Sequence, residues 1–319
     1  MLGLSRARSL TRSTLTLPHS PLHSTCLFGL RPSHSLRSLS IYFDSRLAAA
    51  VDERHRLEFL AAYYSLMSEP PRTGGVVTYK ARDLEPGAGS LDFERGGVAA
   101  TTFPKWQTDD SIDRNSWSWV EPADLKNATE LVGELVDTVA KGGTLLLNVG
   151  PKADGTFDPR VEGTLLTMGG WLGINGVGVY GSVPWDVCCE GPTNIVPGFN
   201  NEFPMFGPTD FRFTASESAI FVFAMAPAAV YKVSTLNWAN AANVTDVTLV
   251  GGSGKVVWQL AEGGMTIKCP ECADSANSTA CEGCPRGLPR TFRLHLGGST
   301  TEEIDAPTRS LRARITEGV

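Results

Sequence analysis

The sequence predicts an α/β architecture in its first half, a parallel sheet or barrel, followed by an antiparallel β-sandwich. Three observations carry this reading. Residues 39–79 run strand, helix, strand; residues 124–175 run helix, strand, helix; and beyond residue 184 only short β-rich runs remain.

The run 39–43 is short and largely apolar and ends at Asp44. Residues 46–67 then place Leu57, Leu60, Ala61 and Tyr64 at helical spacing. Pro70, Pro71, Gly74 and Gly75 end that helix, and Val76-Val77-Thr78-Tyr79 is the kind of run buried in a parallel sheet. Between 124 and 141, Leu125, Ala128, Leu131, Val132, Leu135, Val136 and Val139 follow the i, i+3, i+4 rule, and Gly142-Gly143 supplies a left-handed stop. Residues 144–149 form a nearly continuous apolar strand, closed by Gly150-Pro151 and the Asp154-Gly155 turn, and a further helix spans 159–175. Seven runs follow, at 211–214, 219–225, 230–236, 244–250, 255–260, 265–268 and 291–296; with Gly, Asn and Pro between them they describe a sandwich. The resulting division is a leader over 1–38, a partial catalytic barrel over 39–184, a β-sandwich over 185–296 and a polar tail over 297–319.

The 319 residues are 42% apolar and 19% charged, ample for a large core. The longest mostly apolar stretch, 219–231, is interrupted by Pro227 and is too short for the roughly 20 residues of a membrane-spanning helix. Five arginines and no acid occupy residues 1–43, which leaves 23 basic against 34 acidic residues in the remainder. So negative a body disfavours nucleic acid as a partner. The Ser-, Leu- and Arg-rich leader has a transit-peptide composition, or else is a wrongly joined first exon.

Three of the five histidines (His19, His23, His34) lie in that leader, leaving His55 and His295, so a Ser-His-Asp mechanism is poorly supplied. The glycine patterns at 173–178 and 251–255 read as turns rather than phosphate loops. Cys269-x-x-Cys272 and Cys281-x-x-Cys284 have the spacing of a zinc site, or of two disulfides stapling a surface hairpin that carries the Asn277-Ser-Thr sequon. Cys188-Cys189 reads as structural. Asn127-Ala-Thr and Asn243-Val-Thr are further acceptor tripeptides.

Acids beside aromatics are the more informative chemistry: Tyr42-Phe43-Asp44 ends one strand, Leu91-Asp92-Phe93-Glu94-Arg95-Gly96 follows another, and Trp106, Trp117 and Trp119 come next. Glycoside cleavage needs one carboxyl group to protonate the leaving oxygen and another to attack or assist at the anomeric carbon, about 5–5.5 Å apart in retaining enzymes. Aromatic faces suit the apolar side of a sugar ring.

Three segments carry a resemblance to a family. Trp106-Gln-Thr-Asp-Asp-Ser-Ile-Asp-Arg-Asn-Ser-Trp-Ser-Trp119 is the first and Gly143-Thr-Leu-Leu-Leu-Asn-Val-Gly-Pro-Lys-Ala-Asp-Gly-Thr156 the second. The third is Gly173-Ile-Asn-Gly176 with Val179-Tyr-Gly181 and Pro184-Trp185. Together they closely resemble the α-L-fucosidases of glycoside hydrolase family 29. The resemblance implies the C-terminal part of a (β/α)8-type barrel before the sandwich, with Asp44 as nucleophile and Glu94, in its Asp-aromatic-Glu-Arg-Gly setting, as general acid/base. Trp117 is implied to line the fucose pocket. It further implies retention of configuration, no metal or organic cofactor, a fucosylated oligosaccharide or glycoprotein as substrate, an extracellular or lysosomal/vacuolar setting and, from the branch most alike, α-1,3/1,4-linked fucose. Members carry a long stretch before the nucleophile strand where this sequence has 43 residues, so a chain truncated by about half a barrel is the expectation. A non-catalytic carbohydrate-binding or interaction protein is the alternative, and a metal-bound module at Cys269, Cys272, Cys281 and Cys284 a third reading.

Overall fold

The computed structural model describes residues 40–43, 52–70, 75–80, 84–85, 87–101, 105–269 and 287–297. Asp44, Cys272, Cys281, Cys284, Asn277 and the leader lie outside the described residues, as does the tail beyond residue 297. All described residues belong to one unit, Ser35–Val319.

The first sheet is wholly parallel, in the order β1 (Ser40–Phe43), β2 (Val76–Tyr79), β3 (Ser90–Glu94), β4 (Trp106–Ser111) and β5 (Gly143–Asn148). Helix α1 (Glu53–Ser68) connects β1 to β2 and begins at an Asp52 cap whose carboxylate accepts from the Arg54 amide. It buries Leu60, Tyr63 and Met67 against Val77, while Leu57 and Ala61, expected on the apolar face, are exposed. A helix packed on so short a strand needs only a narrow stripe.

Helix α2 (Ala128–Ala140) connects β4 to β5. It starts at Asn127 rather than 124, because Asn127 and Glu130 form a reciprocal capping box that satisfies the first orphan amides. It stops at Gly142, whose φ of 83° admits a side chain only with strain. Helix α3 (Pro159–Asn175) has Asp158 as cap and proline in its first turn, and its bounds are those the sequence predicts.

The β half has a five-stranded antiparallel sheet, β10 (Val244–Leu249), β13 (Arg290–Leu296), β8 (Ala219–Ala224), β7 (Phe211–Ser216) and β6 (Val183–Glu190). Over it lies a three-stranded sheet, β11 (Val257–Ala261), β12 (Gly264–Lys268) and β9 (Val230–Val233). A short helix, α4 (Trp238–Ala241), joins β9 to β10. The seven β-rich runs became β7 to β13. Strand β6 was not foreseen, since its Val-Pro-Trp-Asp-Val-Cys-Cys-Glu sequence alternates poorly and carries a register irregularity between Pro184 and Cys189. Within it Cys188 and Cys189 are joined as a vicinal disulfide.

The two cores share the larger sheet. Phe211, Phe213, Val222, Phe292 and Leu294 face Tyr231, Val233, Met265 and Ile267 of the smaller sheet. From the opposite face, Phe221, Phe223 and Met225 meet Leu131, Val132 and Val136 of α2 and Trp171 of α3. A strand covered on both sides needs no polar face, which is why β8 is Ala-Ile-Phe-Val-Phe-Ala and buried throughout.

One buried charge cluster crosses the α2 face. Asp137 Oδ1 accepts from Arg212 Nε of β7 at 2.5 Å and Asp137 Oδ2 from Lys141 Nζ at 2.8 Å, with all three side chains at most 2% exposed. Burial lowers the Lys141 pKa, and Asp137 opposes that shift. Asp137→Ala would leave two cations in the interior, so it should cost ~3–5 kcal/mol in denaturant unfolding. A loss below 1 kcal/mol would show that the cluster does not hold the two halves together.

Candidate active site

Strand periodicity assembles the site. Asp92 pairs with Gln107 and Glu94 with Asp109 in the β3–β4 register, and Thr78 pairs with Ser90 across β2–β3, so alternation puts these side chains on one face of the sheet. Val77, Leu91, Phe93 and Trp106 occupy the interleaved positions. The acid-bearing motif therefore lies inside a strand, where the sequence reading had placed it after one; β3 and β4 pass unnoticed because their polar alternate positions face a site.

Lys80, next after β2, is the cation of this face. Its ammonium is ion-paired with Glu94 Oε2 and stands 3.6 Å from Asp109 Oδ2 and 4.0 Å from Asp92 Oδ2. Gln107 Nε2 donates to Asp92 Oδ1 at 2.9 Å. Asp92 is wholly buried, whereas 32% of the Glu94 side chain is exposed, leaving it open to a ligand. Burial, then the adjacent Asp109, pushes the Asp92 carboxyl up to about 8. Burial likewise raises Asp109, with Lys80 pulling the other way. The Asp92–Asp109 pair thus retains a proton near neutral pH.

Behind the sheet a second cluster braces the strand ends. Asp110, on the opposite face of β4, is ion-paired with Lys126, whose Nζ also meets Glu202 Oε2 at 2.7 Å and Glu134 Oε2 at 3.8 Å. Burial first, and then Asp110, holds Glu134 well above the usual carboxylate range.

Trp117 lies in the bend after β4. Asp113 Oδ1 shapes that bend by accepting from the amides of Asn115 and Ser116 at 2.8 and 3.1 Å, and Asn148 Nδ2 donates to the Trp117 carbonyl at 2.6 Å. The Trp117 ring is stacked on the Arg95 guanidinium, 4.6 Å from its centroid. Glu94 and Trp117 thus flank one arginine. Asp44 lies outside the described residues, and the strand preceding it, β1, is two positions from β3 in the same sheet.

Asp92, Gln107 and Asp109 occur in the sequence motifs with no role assigned to them, and Lys80 lies outside those motifs. The available signal was the shared polar spacing of Thr78-x-Lys80, Asp92-x-Glu94 and Gln107-x-Asp109, legible only once all three segments are known to be parallel neighbours. Of the cysteine pairs, Cys269 is buried. Among the described residues no group of three His, Cys, Asp or Glu side chains is arranged to hold a metal, and no helix is long and apolar enough to cross a membrane.

Comparison with known proteins gives this geometry a context. The sequence model of the family described as alpha-L-fucosidase matches residues 36–177. The tissue alpha-L-fucosidase of Bos taurus is 46% identical over 89 residues, 27% of this chain and 19% of that protein. That of Homo sapiens is 32% identical over 177 residues, 54% of this chain and 34% of the relative. The chain therefore spans a fifth to a third of the curated relatives' length. Among solved structures, the α-fucosidase of Thermotoga maritima in complex with fucose superposes with a TM-score of 0.55 at 25% identity, over 76% of this chain and 49% of that one. The α-L-fucosidase isoenzyme 1 of Paenibacillus thiaminolyticus shares the fold, with a TM-score of 0.58 at 16% identity. In its parallel sheet with a carboxyl-end acid, and over residues 36–177 of its sequence, the chain is similar to the α-L-fucosidases.

Proposed function

We propose that this chain carries the acid/base side of a retaining α-L-fucosidase site, acting on terminal α-linked L-fucose of a glycoconjugate. The observation that carries the reading is Glu94: a partly exposed carboxyl at the carboxyl end of a parallel strand, held by Lys80 and adjacent to the Arg95–Trp117 stack. Strand ends of that polarity are where barrel enzymes gather catalytic groups. By the family resemblance, the linkage is α-1,3/1,4 and the setting extracellular or lysosomal/vacuolar. Residues 39–184 act as the catalytic part and 185–296 as a supporting sandwich.

In the first step the Asp44 carboxylate attacks the anomeric carbon while Glu94 gives its proton to the glycosidic oxygen, releasing the aglycone. In the second, Glu94 takes a proton from water, whose oxygen displaces Asp44 from that carbon. Lys80 keeps the Glu94 carboxyl oriented through both proton transfers. The proton shared by Asp92 and Asp109 limits the negative charge around it. The Trp117 face covers the apolar side of the deoxyhexose.

Purified chain offered an aryl α-L-fucoside should release the phenol. No release, with a full-length relative active in parallel, rejects catalysis by this polypeptide, and fucose binding by calorimetry without release would favour the carbohydrate-binding alternative. Given release, Asp44→Gly should abolish it. Glu94→Gln should lower kcat ~10²–10⁴-fold on an oligosaccharide and much less on an activated aryl fucoside, which needs no acid assistance. Equal losses on both substrates would remove Glu94 from the acid role.

The raised Asp92 pKa also predicts a pH effect on stability. An acid whose pKa is higher folded than unfolded stabilises fully below its unfolded value near 4, and that contribution fades as pH rises toward 8. Asp92→Asn, which keeps the acceptor for Gln107, should therefore flatten the fall in unfolding free energy between pH 4 and 8 by ~3–5 kcal/mol. An unchanged profile would show that Asp92 is ionised throughout that range.

A further inference from the structure

The connection between β6 and β7 returns to the end of β3. Its Asn200 amide donates to the Glu94 carbonyl at 2.8 Å, and the Gly198 amide donates to the Gly97 carbonyl at 3.0 Å. Phe199 packs on Phe93 with ring centroids 5.4 Å apart, and Phe203 lies against Gly97. The approach is so close that a Cβ on Gly96 would sit 1.9 Å from the Gly198 carbonyl oxygen, so the strap and the Glu-Arg-Gly turn fit only as a pair.

Arg95 is where this strap meets the pocket. Its backbone adopts a φ of 48°, a left-handed conformation costly for a residue with a Cβ and maintained by what its guanidinium does. Nη1 donates to the Arg114 carbonyl at 2.7 Å and Nη2 to the Asp113 carbonyl at 3.0 Å. The plane covers the Trp117 ring at 4.6 Å. The same Nη1 stands 3.3 Å from Glu202 Oε1 of the strap and 3.7 Å from Asp110 Oδ1. Glu202 Oε2 in turn holds Lys126 at 2.7 Å, so one carboxylate ties the arginine to the lysine that precedes α2. A planar fork with five fixed donors can make all these contacts together, and an ammonium cannot.

We propose that Arg95, clamped by Glu202, is a positioning residue that couples the Glu94 strand end to the Trp117 bend. Through it the connection between the sandwich strands sets the geometry of the sugar pocket. This rests on Glu94 and Trp117 being the acid and a pocket wall. The coupling itself is a property of the fold and can be read without turnover.

The test is hydrogen–deuterium exchange on the full chain in three forms: wild type, Arg95→Met and Glu202→Gln. Amides of residues 113–118 should exchange about tenfold faster in each variant, with amides of α2 unchanged. The double variant should exceed neither single one by much, since both break one linkage. Where the chain hydrolyses an aryl α-L-fucoside, the same substitutions should raise KM severalfold, and Arg95→Lys should fail to restore it. Unaltered exchange at 113–118 in a folded Arg95→Met, or in Glu202→Gln should Arg95→Met not fold, overturns the coupling. A wild-type chain that neither binds nor cleaves fucose yet shows the exchange effect overturns the fucosidase reading and leaves the coupling standing.

Discussion

One ammonium stands against three carboxyl groups at the carboxyl end of the parallel sheet, and most of the site follows from that imbalance. Lys80 can neutralise only one of Asp92, Glu94 and Asp109. Burial raises both Asp92 and Asp109, the least solvated of the three, and carries Asp92 up to about 8, so a proton held within that pair removes part of the excess charge. Glu94, the most exposed of the three, keeps contact with both Lys80 and solvent. That position suits the acid/base role proposed for it. Its neighbours absorb the electrostatic cost of keeping it there.

The β half of the molecule contributes more than bulk. Its larger sheet has apolar residues on both faces, so it packs at once on the smaller sheet and on the two helices behind β4 and β5. The Asp137–Arg212–Lys141 cluster fixes the register of that second contact, because buried charges tolerate few alternative arrangements. Once the sheet is fixed, the connection leaving β6 is aimed at β3, and a Gly-against-Gly approach lets it bond the Glu94 carbonyl. The scaffold therefore reaches the carboxyl end of the parallel strands through a backbone contact rather than through distant packing.

Elements with one apolar face were legible in the chain. Helix α3 has a cap, a proline and a glycine-bounded end, and strands β7 to β13 have β-branched or aromatic runs between turn residues. Strands β3 and β4 were not, since Ser-Leu-Asp-Phe-Glu and Trp-Gln-Thr-Asp-Asp-Ser carry polar residues wherever they face the site. A strand that lines a polar cavity reads like a loop. Helix α2 begins three residues later than the apolar spacing implies, because Leu125 continues that spacing into a bridge with Asp113 that is not helical. For the site itself, motif resemblance pointed to roles for Glu94 and Trp117, carried Arg95 and Asp109 without a role, and left out Lys80 and Glu202.

Chain order alone determined the alternation of strands and helices, the change to antiparallel β structure near residue 184 and the segment that carries the acid, because each depends on residues within a few positions of one another. Tertiary structure decided which charges meet. Lys80 lies fourteen positions from Glu94, and Glu202 lies 107 positions from Arg95. Separations of that size are bridged only by parallel register and by a connection returning from another sheet. Coulomb interactions depend on distance in space and on local burial, and neither is written in the spacing of residues along the chain.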